Sequence, residues 1–212
     1  MSTVQVDAIN ESTTNAGVTV DGVLIKDGLV DGKDVSALGT SSVDGGLVKL
    51  ASTDFSDVSS VIFDEVFTST YNNYAFKIEH QNSDNNTEFR FILRTGGASG
   101  SDDTTAQYNC VNVISFPNNS ASWATKSIYG VDIPFFTMNG GMANNKHYHS
   151  SLDIFSPQKA QDTTWSGTAG YQGGHAFVIA GAFELDTQFT GIKFYQSSGN
   201  VSGSIQIYGY AK

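Results

Sequence analysis

Glu88-Phe89-Arg90-Phe91-Ile92-Leu93-Arg94 puts Phe89, Phe91 and Leu93 on one side of an extended chain and Glu88, Arg90 and Arg94 on the other. Tyr74-Ala75-Phe76-Lys77-Ile78-Glu79 repeats the pattern, with Tyr74, Phe76 and Ile78 alternating against Lys77 and Glu79. A period of two is the mark of a half-buried strand. Working outward, further strands are expected at 61–67, 107–116, 125–137, 148–155, 175–186, 189–196 and 203–210. Gly- and Asn-rich connections separate them at 82–86, 96–103, 117–122, 139–145, 167–174 and 197–203. No segment has a convincing 3.6-residue period, and the only helical turn expected lies near Thr53–Ser59. The fold class that follows is all-β: an antiparallel, jelly-roll-like β-sandwich over residues 61–212.

Residues 1–60 differ in composition. Phe55 is their only aromatic, although the chain has 14 Phe, 9 Tyr and 2 Trp. They carry nine acidic and three basic residues. Short aliphatic runs alternate with Asp21-Gly22, Asp27-Gly28, Asp31-Gly32 and Asp44-Gly45, and Asp-Gly makes tight turns. Such a segment reads as an extended N-terminal arm of short strands. Its aliphatics Val18, Val20, Val23, Leu24, Ile25, Leu29 and Val30 have nothing large to pack on within the arm, which assigns them to anchoring and oligomerisation. The bland alternative is an acidic linker.

The formal net charge is −10, with no dense run of Lys or Arg. Nucleic acid and anionic membranes are therefore not expected partners, and no apolar run reaches bilayer-spanning length. One cysteine, Cys110, cannot form an intrachain disulfide and is expected as a small buried residue. The first residues show neither a basic segment nor an apolar stretch of secretory length, so synthesis in the cytoplasm is expected.

Gly17-Val18-Thr19-Val20-Asp21-Gly22-Val23-Leu24-Ile25-Lys26-Asp27-Gly28 resembles the N-terminal segments of fibre and head-decoration proteins of tailed phages of marine bacteria and cyanobacteria. The run from Phe194 to Gly209, with Gly199-Asn200 at its turn and Tyr208-Gly209 at its end, resembles the closing strand pair of small phage β-sandwich domains. This resemblance implies a virion structural protein, usually a homotrimer, bound to the major capsid protein or to tail proteins. It carries no catalytic or cofactor residues, and no cofactor is expected. A receptor- or carbohydrate-binding tail-fibre head, contacting host surface glycans, is the alternative it allows.

No Gly-x-Ser-x-Gly elbow, phosphate loop or His-Glu-x-x-His motif occurs. Glu184 and Asp186, two apart on an expected strand, are the best carboxylate pair for glycoside hydrolysis, but solvated charges at a strand end are commoner, and no enzyme is expected. His147 and His149 share one side of an extended segment and are candidate metal ligands about a threefold axis. Asp102 and Asp103 are a candidate calcium pair in a glycine-rich loop. Trp123, Tyr129, Trp165 and Tyr171 are candidates for stacking on a sugar, against core or interface packing as the plain role.

Overall fold

A computed structural model of the chain describes residues 18–20, 23–26, 29–30, 33–34, 46–83, 87–115, 124–130, 133–135, 146–171 and 176–211. The chain divides into two compact units, Met1–Val43 and Asp44–Lys212. Among the described residues no helix is long and apolar enough to cross a membrane.

The first unit contains β1 (Val18–Val20), β2 (Val23–Lys26), β3 (Leu29–Val30) and β4 (Lys33–Asp34), paired in chain order. Every pairing is antiparallel. Val18 lies opposite Ile25, and Ile25 opposite Val30. With the alternation of strand residues, this register places Val18, Val20, Val23, Ile25 and Val30 on one face of the sheet, and Leu24 and Leu29 on the other. All seven expected anchoring residues thus fall within strands, and an Asp-Gly pair lies between each strand and the next.

The second unit is a β-sandwich with short strands at its edges. It comprises β5 (Leu47–Val58), β6 (Ser60–Phe63), β7 (Asn73–Asn82), β8 (Phe89–Thr95), β9 (Ser101–Asp102), β10 (Tyr108–Ser115), β11 (Ala124–Gly130), β12 (Ile133–Phe135), β13 (His147–Phe155), β14 (Thr163–Tyr171), β15 (Ala176–Phe183), β16 (Gly191–Gln196) and β17 (Val201–Tyr210). One sheet of eight strands runs β11-β10-β15-β14-β13-β7-β17-β5. The other has five, in the order β12-β8-β16-β6, with β9 also on β8. The jelly-roll-like antiparallel sandwich expected from the period-two pattern is therefore the fold observed.

Between the sheets lies an aromatic core. Phe76, Phe89, Phe91 and Phe194 cluster at its centre, with ring centroids 5.7 Å apart for Phe76 and Phe194 and 5.9 Å for Phe89 and Phe194. Trp165 meets Phe91 edge-on at 5.4 Å, and Phe183 meets both Tyr108 and Phe189 at 4.9 Å. Edge-to-face contacts of this kind add to the stabilisation from area burial.

Four sequence readings need correction. Residues 47–58, placed in the arm by composition, form β5, the edge strand beside β17, so the division falls at 43/44 and not at residue 60. Thr53–Ser59 is accordingly extended rather than helical, with half-buried Phe55 packed against the core. Residues 163–171 form β14, although the glycines predict a loop from 167 onward; a Cβ at Gly167 would sit 2.7 Å from the Ser151 carbonyl oxygen, so its glycine serves close strand approach and not a turn. The expected strand 125–137 is two, β11 and β12, which join different sheets.

Candidate functional surface

On β7 the inward residues Phe76, Ile78 and His80 are buried, and Lys77 and Glu79 point outward. Strand pairing sets the surroundings of this outward pair. Glu79 lies opposite His149 on β13 and Ser204 on β17, and Lys77 lies opposite Ser151 and Gln206. Together they form a groove of about 300 Å³ lined by Lys77, Ile78, Glu79, His149, Ser150, Ser204 and Gln206. A smaller one of about 110 Å³ adjoins it, lined by Glu79, His80, Gln81, His147, Ser202 and Gly203. Glu79 belongs to both.

Within the groove Lys77 Nζ donates to Ser151 Oγ at 2.9 Å. His147 Nδ1 is 3.8 Å from Glu79 Oε1, with both side chains about half exposed, at 53% and 51%. Solvent screens such a pair strongly, leaving both groups available to a ligand. Gly203 lets β17 approach: its φ is +155°, and a Cβ there would lie 2.0 Å from the Glu79 carbonyl oxygen. The surface combines a cation, a carboxylate, two imidazoles, amides and hydroxyls. That set suits a hydroxyl-rich ligand held by hydrogen bonds.

His147 and His149 do share one exposed face, as their spacing implied. Among the described residues, however, no group of three or more His, Cys, Asp and Glu side chains is placed to hold a metal ion. Asp102 is committed elsewhere. It pairs with Arg94 and Lys193, and Arg94 also donates to Asp64 Oδ1 at 2.8 Å and to the Gly100 carbonyl. The hydrogen bond to Asp64 leads in raising the Arg94 pKa above its ordinary value, and nearby Asp102 adds to it. Asp103 Oδ1 accepts from the Thr105 backbone N–H at 2.9 Å, closing a turn. Asp102 thus fastens the 96–105 loop to β8 and β16, while the Asp103 side chain closes a turn within that loop.

Trp165 is not a stacking residue for a ligand. It is 2% exposed, with its indole under Gly181, where a Cβ would lie 2.7 Å from Nε1. Tyr129 and Tyr171 sit on β11 and β14, but their side chains lie outside the described residues, as does Trp123 altogether. Glu184 and Asp186 follow the end of β15 and do not share a strand face; both are exposed, and Glu184 Oε1 accepts from Asn109 Nδ2 at 3.0 Å. Cys110 is buried, and burial pushes its thiol up to about 11, so it stays protonated and inert at neutral pH.

The sequence reading missed Lys77, Glu79, Ser204 and Gln206 as partners of His149. Alternation showed that Lys77 and Glu79 face outward. The pairing of β7 with both β13 and β17 joins residues over 60 positions apart, and nothing local in the sequence encodes it.

No family model matches the sequence, and no curated protein matches it. Among solved structures, the galectin LEC-6 of Caenorhabditis elegans is similar over 75% of this chain and 96% of its own, at 12% identity and a TM-score of 0.35. A likeness this weak carries no argument about function.

Proposed function

We propose that this chain is a non-enzymatic structural protein of a bacteriophage particle, a homotrimeric capsid-decoration or fibre protein in which the first unit anchors and the sandwich projects. The observation that supports this most directly is the separation of a four-stranded sheet, built from strands of two to four residues, from a sandwich with its own core. Residues 1–43 contain no aromatic. Ordering their backbone costs about 1–2 kcal/mol per residue, whereas each aliphatic contributes roughly 1.5 kcal/mol or more only when something covers it. A unit so short of apolar surface gains its stability from a partner, and the resemblance of residues 17–28 to phage fibre and decoration proteins makes a virion protein that partner. The location that goes with this reading is the virion.

The test is deletion of residues 1–43. The remaining 44–212 chain should stay soluble and β-rich by circular dichroism while failing to enter particles. Wild-type occupancy by the truncated chain would reassign anchoring to the sandwich.

A second reading is favoured by the groove around Glu79: a receptor- or carbohydrate-binding head whose ligand is a host surface glycan. Specific glycan-array binding by the full chain, lost in Glu79→Ala and in His149→Ala, would support it. Host adsorption unchanged by both substitutions would sink it.

A further inference from the structure

The outward face of the eight-stranded sheet has two halves of different chemistry. Across β5, β17, β7 and β13 it carries Asp54, Lys77, Glu79, His149 and Asp153. Across β14, β15 and β10 it carries no charged residue at all. Register aligns Thr168, Val178 and Val113 in one row and Ser166, Ala180 and Val111 in the next.

Val178 is 49% exposed and Val111 44%, and Ala176 and Ala180 are exposed beside them. The sequence of β15, Ala176-Phe177-Val178-Ile179-Ala180-Gly181-Ala182-Phe183, contains no polar side chain. An antiparallel strand with one wet face alternates apolar with polar, as β7 does with Lys77 and Glu79; a strand apolar throughout is the pattern of one covered on both faces. Among the described residues β15 is covered on only one, with Ala176, Val178 and Ala180 exposed on the other.

We infer that the outward face of β14, β15 and β10 is a self-association surface, covered in the assembly by another copy of this chain. The inference rests on the homo-oligomeric reading above and names the surface that reading lacks. Charge selects the occupant. Each copy has a net charge of −10, and on this half of the sheet two copies meet without like-charge contacts. Three strands about 4.8 Å apart with three or four outward residues each make an uncharged patch of roughly 300 Å². The flanking Asn109 and Glu184 supply the start of a polar rim.

The experiment uses the full chain at micromolar concentration, with mass read by light scattering and folding by circular dichroism. Val178→Lys and Val111→Lys, made separately, should each reduce a multimer to the mass of one chain with the β spectrum retained. Ser52→Lys, which adds the same charge on the other half of the sheet, should leave the multimer intact. Hydroxyl-radical footprinting of the unmodified protein gives a second readout that no variant's misfolding can spoil. Val178 and Val111 should be protected in the multimer and become reactive on dilution to single chains.

A multimer indifferent to both lysines, or one in which the two valines react as in the single chain, overturns the surface and leaves the trimer reading standing. A dimer that both lysines dissociate sustains the surface and overturns the trimer. A wild-type chain that is monomeric overturns both. Protection that persists on dilution and disappears when residues 1–43 are deleted would assign the face to the chain's own first unit, against this proposal.

Discussion

The two ends of the sandwich core differ in how they hold the polar atoms of their buried rings: tyrosine hydroxyls are hydrogen-bonded at one end, and an imidazole is not at the other. At one end, Tyr108 Oη accepts from the Leu93 N–H at 3.0 Å and donates to the Asp103 carbonyl at 3.1 Å, and Tyr74 Oη accepts from and donates to Thr68 at 2.7 and 2.8 Å. Trp165 Nε1 and Thr163 Oγ1, also at this end, have no hydrogen-bond partner among the described residues. At the other end, Gln196 donates to Asn82, but Asn82 Nδ2, Gln196 Oε1, Ser150 Oγ and both ring nitrogens of His80 have no hydrogen-bond partner among the described residues. His80 is held by rings instead, stacked 4.1 Å from Phe89 and 5.0 Å from Tyr148. The difference teaches where the fold is strong and where it is conditional. A satisfied hydroxyl stabilises at any ordinary pH, whereas a buried imidazole does so only while neutral.

The largest expected effect is at the first end. Trp165→Ala removes the largest fully buried side chain, which touches Phe91 and Tyr108, and should cost about 3–5 kcal/mol. Urea unfolding measures it; a loss below about 1 kcal/mol would mean that the core collapses onto the gap.

Acid should expose the second end. Burial is the main cause lowering the His80 pKa to about 3, with His149 adding to it, whereas the unfolded chain has the ordinary 6.5. The folded value is the depressed one, so stability is at its full value above pH 6.5 and falls as pH drops from 6.5 towards 3. By pH 5 the loss attributable to His80 is about 2 kcal/mol. Unfolding midpoints measured between pH 7 and 5 test this, and a flat profile would show that His80 is not protonated more readily in the unfolded chain.

A smaller effect returns to the first end. Tyr108→Phe keeps the ring against Phe183 and removes only the hydroxyl, stranding the buried Leu93 N–H; the expected cost is about 1–2 kcal/mol. The same substitution should loosen the 103–107 segment, because the Asp103 carbonyl loses its donor. Hydrogen exchange at Leu93 provides the local readout.

How much of this was legible beforehand depends on the range of the interaction. Phe89, Phe91, Tyr74, Phe76 and Ile78 announced both their strands and their burial, because alternation is local. His80 continues the same alternation after Ile78 and could have been read as buried by counting on by two. β5 was hidden: Asp54, Ser56 and Asp57 suit an edge strand that is wet on one side, and its single aromatic made it look like arm. β14 was hidden by Gly167 and Gly170, which resemble turn residues until the neighbouring backbone is in view. The groove at Glu79 and the uncharged half of the sheet depend on strand order, which the turn pattern does not determine.

The smallest expected effect is the sharpest test of the contrast between the ends. His80→Phe should change stability at pH 7 by less than about 1 kcal/mol, or raise it slightly, because no hydrogen bond is lost and two buried nitrogens are replaced by carbon. The site is already shaped for a flat ring, since Phe89 and Tyr148 lie nearly parallel to the imidazole at 20° and 13°. The variant should also lose most of the decline between pH 7 and 5, because it has no proton to gain on unfolding. The two readouts separate the causes. A neutral midpoint with a flattened pH profile assigns the acid sensitivity to His80. A large loss at pH 7 would show that His80 makes a polar contact essential to this end, and the two ends would then be alike.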